Sequence, residues 1–130
     1  MKIDWLSNQS NLGAITIYPN NITLNKQAAD FFSDSFCVAV GIDRDTKSLV
    51  IKSISKEEAE SYGESTKGQL LKISIKKSYG RITGKQMIDE IAGALNLDFS
   101  KNAAYKFSAK WNTGYKMLIA STNKESEGQC

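Results

Sequence analysis

The chain has 130 residues, 41% of them hydrophobic, and a net charge of +3, values typical of one globular domain. No run of residues approaches the ~18 consecutive apolar residues of a membrane span, and the residues after Met1 include no apolar stretch of signal-peptide length. The sequence contains no histidine, which excludes histidine general-base catalysis, histidine-containing triads and histidine metal sites. We therefore expect a cytoplasmic domain that is not an enzyme, spans no membrane and needs no metal, cofactor or small-molecule substrate.

Charge is unevenly distributed along the chain. Residues 1–66 hold 6 Lys and Arg against 9 Asp and Glu, whereas residues 67–130 hold 11 against 5. This asymmetry indicates either a polyanion-binding surface or a solvated lysine-rich face in the second half, and charge alone leaves both open.

The two cysteines are Cys37, inside the apolar run 36–40, and Cys130 at the last position. One buried thiol and one tail thiol make a poor disulfide framework, so a reducing cytoplasm fits better. Cys37 has no histidine to activate it, and we expect its thiol to be inert.

The first half opens with Trp5 and Leu6 in a polar segment, which either dock on the domain or contact a partner. Alternating apolar residues then predict strands, and Asn25 is a suitable N-cap for a helix. The predicted elements are a strand over 14–18, a turn over 19–21, a strand over 22–24, a helix over 26–32 and a hairpin of strands over 36–42 and 48–54.

A short helix is predicted between the halves. Ser55 and Glu58 have the three-residue spacing of a capping box. The nearby carboxylates Glu57, Glu58 and Glu60 could suggest a metal site, but a solvated helix start, favoured by the helix dipole, accounts for them better. Residues 63–68 then read as a flexible connector.

The second half repeats the order of the first. Its predicted elements are a strand over 70–75, a turn over 78–80, a strand over 81–83, an amphipathic helix over 85–95 and a hairpin of strands over 105–111 and 115–120. Gly114 is expected to supply the positive φ of the hairpin turn. The polar tail 121–130 is expected to be mobile.

Aligning the halves matches Ile15-Thr16-Ile17 with Ile73-Ser74-Ile75. We expect one domain, 1–130, composed as follows: a first repeat over 14–54, a helical or flexible linker over 55–69, a second repeat over 70–120 and the tail over 121–130. Neither unit buries its apolar faces alone. The predicted fold is therefore α+β, mainly a pseudo-twofold β-barrel that both units close together.

The segment Tyr79-Gly80-Arg81-Ile82-Thr83-Gly84-Lys85, with the helix and hairpin after it, resembles the AbrB-type motif of strand, Gly-Arg turn, strand, short helix and hairpin. Two tandem copies in one chain resemble the MraZ family of transcriptional regulators. The resemblance implies a small barrel, DNA binding through basic residues around the Gly-Arg turn, and further assembly. Arg81 matches the family's basic position and Lys85 matches the lysine at helix entry. The first copy has Asn20-Asn21 in place of Gly-Arg, and both copies lack the proline before the helix.

The candidate DNA-binding residues are the basic side chains on or beside the second repeat's first turn and hairpin: Lys72, Lys76, Lys77, Arg81, Lys85, Lys106 and Lys110. Along strand 105–111, Lys106 and Lys110 alternate with apolar residues and should share the outer face. Arg81 would be the central contact, and the lysines would position phosphates. The chain has only two arginines, Arg44 and Arg81, which limits bidentate guanine recognition by one copy.

Two other interpretations of these segments are weaker. The stretch Gly80–Lys85 is one residue short of a phosphate-binding loop, and Gln86 stands where that loop needs Ser or Thr. The aromatics Tyr105, Phe107, Trp111 and Tyr115 could stack on bases, but their shared strand face predicts core positions. The predicted function is a transcriptional regulator that binds double-stranded DNA and forms a homo-oligomer. The alternative is a protein-interaction or assembly module with the same barrel and no DNA binding.

Overall fold

The computed structural model describes residues 1–3 and 12–122. Trp5 and Leu6, and the predicted tail from residue 123 onward including Cys130, lie outside these residues. Within them the strands are β1 Leu12–Tyr18, β2 Asn21–Asn25, β3 Cys37–Asp43, β4 Ser48–Ile54, β5 Leu70–Leu71, β6 Ser74–Ile75, β7 Tyr79–Thr83, β8 Tyr105–Asn112 and β9 Met117–Ser121. The helices are α1 Lys26–Asp30, α2 Lys56–Glu60 and α3 Lys85–Leu95, and Lys67–Gln69 forms a 3-10 turn.

All described strands belong to one antiparallel sheet in the order β5-β3-β4-β9-β8-β1-β2-β7-β6. The two edge strands, β5 and β6, are separated in sequence by residues 72 and 73 alone. Because the three residue steps from Leu71 to Ser74 span at most about 11 Å, the sheet must curl until its edges approach one another. The result is a curled half-barrel with few helices, which confirms the predicted β-barrel character.

The segment 70–75 was expected to form one strand, and this expectation is wrong. Leu70 and Leu71 pair with β3, whereas Ser74 and Ile75 pair with β7. One short segment thus serves both edges of the sheet, and it breaks at residues 72 and 73, where it passes from one to the other. The predicted turn over 78–80 is also shifted, because β7 already begins at Tyr79.

The core lies inside the curl. Inward-facing residues of every long strand are buried there together with α1 and α3. The most completely buried side chains are Phe32, Ile15, Ile17, Ile22, Leu24, Leu49, Ile51, Ile54, Ile82, Ile88, Leu118 and Val38. A smaller cluster of Cys37, Ile54 and Ala59 packs α2 against the start of β3 and the end of β4.

The helix caps follow the sequence predictions. The Asn25 side-chain oxygen accepts hydrogen bonds from the N–H groups of Ala28 (2.9 Å) and Ala14 (3.1 Å), so one amide begins α1 and anchors β1. The Ser55–Glu58 capping box is present, and the hydrogen bond from the Ser55 N–H lowers the pKa of Glu58. No helix in the described ranges is long and apolar enough to cross a bilayer.

Several predicted ends differ from the structure by one or two residues, and two of these differences involve buried or paired residues. α1 stops at Asp30 instead of Phe32, because the chain turns there and directs Phe32 into the core. Ser121 was assigned to the tail but belongs to β9, and the next residue, Thr122, donates its N–H to the carbonyl of Lys47.

The hairpin loops hold the largest local correction. Gly114 does not have a positive φ; the left-handed residue of that loop is Lys116, with φ 54°, and Lys47 has φ 55° in the β3–β4 loop. Both loops have four residues, and each ends on its left-handed lysine. The longer loop also displaces Tyr115 from its predicted core position, leaving it 70% exposed.

Gly13 lies where β1 passes closest to α1. A Cβ atom at Gly13 would stand 2.8 Å from the Cβ of Ala28 and 3.0 Å from its backbone. We expect Gly13→Ala to lower the free energy of unfolding by about 1–3 kcal/mol, because the strand and helix would have to separate. Urea denaturation measures this. Gly41→Ala, where a Cβ would meet nothing within 4 Å, is the matched control and should change stability little.

Lys116→Gly should raise the free energy of unfolding by up to about 1 kcal/mol, because glycine adopts the left-handed conformation without steric cost. The same gain is expected for Lys47→Gly in the other loop. Arg44→Gly, in that loop but without a positive φ, should be neutral or destabilising. Equal effects of all three substitutions in thermal or urea unfolding would contradict this account of the loops.

Candidate nucleic-acid interface

Five strands, β8, β1, β2, β7 and β6, lie side by side and present one continuous outer surface, here called the basic face. Their inward residues, such as Phe107, Ile15 and Ile82, are buried. Their outward residues alternate with these and are mostly polar or basic, with Leu12 and Ala14 of β1 as apolar exceptions. None of the five strands contains an Asp or Glu, so no carboxylate on the strands themselves offsets the positive charge.

A transverse row of directly paired residues crosses the centre of the basic face: Lys106, Thr16, Thr23, Arg81 and Ser74. Three strand spacings separate Lys106 from Arg81, which corresponds to about 14 Å along the sheet. The two cations are exposed and the two threonines between them are partly exposed. The row therefore places one positive charge on each side of the two neutral threonines.

The Arg81 guanidinium lies over the ring of Tyr79, 5.2 Å from its centroid. This cation–π contact holds the side chain along its strand and leaves its N–H donors available. No acceptor among the described residues binds those donors. The preceding Gly80 is buried against α1, where a Cβ atom would stand 3.1 Å from that of Ala29.

Lys76, Lys77 and Lys110 lie toward one end of the basic face. Lys76 and Lys77 belong to the tight β6–β7 turn, in which the Lys76 N–H donates to the Tyr79 carbonyl at 2.8 Å. Lys110 lies at the same end of the strands but on β8, three strands away from that turn, and is paired with Leu12 and Ile119. All three lysines are exposed.

Lys72 and Lys85 lie toward the opposite end. Lys72 is in the break between β5 and β6, and Lys85 is the first residue of α3, directly after β7. The Lys85 ammonium is 3.5 Å from the Asp89 carboxylate. Both side chains are mostly exposed, so this pair is weak and Lys85 can exchange its partner for another anion. The seven predicted residues thus lie on or around one face, with Arg81 and Lys106 on the row that crosses it midway along the strands.

The neutral residues of the face were not among the residues predicted from the sequence. Thr16, Thr23 and Tyr79 lie between the predicted cations. Alternation with Ile15, Ile17 and Ile22 does indicate that both threonines point outward. Their position between Lys106 and Arg81 depends on strand order, which no local pattern contains.

The aromatic residues of the last hairpin are not an outer platform. Trp111 stacks on Phe31 at 5.0 Å between ring centroids and meets Phe32 edge-on at 5.3 Å. The Tyr105 hydroxyl accepts from the Asp98 N–H and donates to the Asp98 carbonyl. Their interior positions, together with buried Phe107, match the prediction; Tyr115 is the exception already noted.

Other chemistries find little support among the described residues. Gly80–Lys85 forms β7 and the start of α3, an extended strand instead of a phosphate-binding loop. Within residues 1–3 and 12–122, no cluster of three or more Cys, Asp or Glu side chains could hold a metal ion. A shallow depression of about 580 Å³ lies beside Lys110 and Trp111.

Comparisons of the chain with protein-family models, with curated proteins and with solved structures give no match.

Cys37 is buried, and burial, with the nearby Glu58 carboxylate, raises the pKa of its thiol. Because the thiolate is the reactive form, we expect Cys37 in a Cys130→Ser variant to react with a thiol-specific disulfide reagent at pH 8 at least tenfold more slowly than in urea. Absorbance of the released thiolate follows the reaction. Equal rates in the native and unfolded protein would contradict the assignment of Cys37 as a packing residue.

Proposed function

We propose that this chain is a DNA-binding transcriptional regulator of the AbrB/MraZ type, which holds double-stranded DNA on its basic face. The observation that carries the proposal is the transverse row with Lys106 and Arg81 on five strands without a carboxylate. The proposed function uses no catalytic residue and no cofactor. It assigns phosphate contacts to the lysines around the face and the central contact to Arg81.

Strand pairing supports the proposed two-repeat architecture. Within each half, the first strand pairs with the second and the third with the fourth: β1 with β2 and β3 with β4, then β6 with β7 and β8 with β9. Between the halves, β1 pairs with β8 just as β5 pairs with β3. The two remaining pairs, β2 with β7 and β4 with β9, join equivalent strands. Every pairing of one half has its counterpart in the other.

The pairings revise the alignment of the two repeats. Ile15 is paired with Phe107, and Leu71 is paired with Val38. Phe107 and Val38 are at the same distance from the loops of their hairpins, so Ile15 and Leu71 occupy equivalent positions. Ile15-Thr16-Ile17 therefore corresponds to Leu71-Lys72-Ile73, two residues before the match expected from the sequence. In this alignment Lys72 takes the place that Thr16 has in the transverse row. The second repeat is thus the more basic at this position as well.

The chemistry of the face favours phosphate contacts over base recognition. Lysines outnumber arginines among its cations by six to one, and bidentate guanine contacts rely mainly on arginine. Cations on a face without carboxylates attract the phosphate backbone and release counterions when it binds. We propose that a homo-oligomer presents several copies of this face and so increases both affinity and selectivity.

A second candidate is a protein-interaction module that has this barrel and does not bind DNA. The acidic balance of residues 1–66 and the Asn20-Asn21 pair of the first repeat favour it. The two candidates differ in what the basic face binds, and one titration separates them.

The test is binding of a fluorescent 30-base-pair duplex at five salt concentrations between 50 and 250 mM, measured by anisotropy. We expect the logarithm of affinity to fall linearly with the logarithm of salt, by about 0.9 per phosphate neutralised. An Arg81→Ala/Lys106→Ala variant should lose about two units of that slope, because it removes two phosphate contacts.

The matched control is Arg44→Ala/Lys56→Ala, which removes one arginine and one lysine from exposed positions outside the basic face. It should bind as the unmodified protein does. Equal losses in both variants would indicate a general charge effect and overturn the assignment to this face. No binding by the unmodified protein at 50 mM salt would reject DNA binding and favour the protein-interaction module.

A further inference from the structure

Strand β3 has a free edge over half of its length. It pairs with β4 through all seven of its residues but with β5 only at Val38 and Ala39. Beyond Ala39, no strand in the described part of the chain covers the other side of Val40–Asp43. Alternate residues of a strand direct their N–H and C=O to the same side. Two of these four residues therefore present backbone donors and acceptors to a vacant strand position.

The other half of the sheet shows what fills the corresponding position. There β1 pairs with β8 over six residues, Leu12–Ile17. On β3 the equivalent segment is a strand only at Leu70–Leu71, because the residues before it, Lys67–Gln69, turn away as a 3-10 helix. Val40 and Gly41 correspond to Ala109 and Lys110, which β1 covers, so the vacancy at these two residues has the width and direction of a strand. The free edge continues to Asp43 and is about 13 Å long in all.

A groove runs between this free edge and α3. Two connected depressions, of about 210 and 550 Å³, share Val40, Met87 and Glu90 in their walls. Val40 and Ile42 face inward on β3 but remain only partly buried, since no neighbouring strand covers them. Gly41, between them, is exposed and would place a Cβ within 4 Å of nothing. An extended chain in the groove would meet bare backbone on one side and apolar side chains below.

The charged residues at the end of the groove restrict which peptide can bind there. Arg44 follows the free edge directly and lines the smaller depression together with Glu90. Neither side chain makes an ion pair with any residue of the described ranges. Glu90 lies in the wall that both depressions share, whereas Arg44 lines only the smaller one, at the end of the free edge. A carboxylate on the incoming chain is therefore complementary to the groove at its Arg44 end and not beside Glu90.

We propose that the free edge of β3 binds an extended peptide of a partner protein by strand addition. The peptide has β-branched apolar residues at alternate positions, which enter the groove beside Val40, Ile42 and Met87, and an acidic residue at the end that meets Arg44. Main-chain hydrogen bonds to Val40–Asp43 hold it, and the side chains select it. This site meets the residues assigned to DNA only at Lys85, which lines the larger depression, and it does not depend on DNA binding.

The test uses a synthetic peptide of alternating valine and threonine with one terminal glutamate, titrated to 1 mM into the ¹⁵N-labelled full chain. We expect amide chemical-shift changes confined to Val40–Asp43 and the first turns of α3, with at least tenfold slower hydrogen exchange at the edge amides. N-methylation of one alternate set of peptide amides should abolish binding, and methylation of the other set should not.

Charge is tested by Arg44→Ala, which should weaken binding three- to tenfold, with Lys56→Ala as the matched control. Replacing the peptide's glutamate by glutamine should weaken binding to the unmodified protein by the same factor and leave the Arg44→Ala variant unaffected.

Several outcomes would overturn the proposal. These are shift changes on the basic face instead of β3, indifference to N-methylation, and no shift change at 1 mM. Concentration-dependent line broadening of Val40–Asp43 without peptide would assign the edge to a second copy of this chain and would also overturn it.

Discussion

The structure depends on the exchange of first strands between the two halves of the chain. β1 lies between β2, its neighbour in sequence, and β8, whose paired residues are about 90 positions further along. β5 makes the reciprocal contact with β3. Neither half can complete its own sheet, because each needs a strand that the other provides. Such pairing between distant segments has a high entropy of closure, and domains built on it fold slowly relative to helical proteins of similar size.

The basic face is a product of the same exchange. Lys106 belongs to the second half and is paired with Thr16 of the first; Thr23 of the first half is paired with Arg81 of the second. The central row therefore exists only when the halves are interlocked. The outer surface of β3 and β4 has another character, because α2 covers part of it through the cluster around Cys37 and Ile54. The two surfaces therefore differ in charge and in what covers them.

Local patterns predicted the elements well, because they record which residues face the core. The α3 helix, the Asn25 and Ser55 caps and the outward lysines of β8 all follow from periodicity or cap chemistry. The division of Leu70–Ile75 did not, since alternation persists across a segment that changes neighbours. Gly114 was misassigned because the position of a left-handed residue depends on loop length. Which cations would share a face was only partly predictable, because strand order is set by distant pairing.

The connector between the halves, residues 55–69, contributes nothing to the strand pairing that joins them. Four strand pairs cross from one half to the other, and none of them includes a residue of this connector. A backbone cut there would remove a covalent link and raise the entropy of assembly without breaking any strand pair. The two fragments would remain associated through these strand pairs as one noncovalent complex. For the same reason, the connector can accept insertions or become a site of chain splitting while the sheet persists.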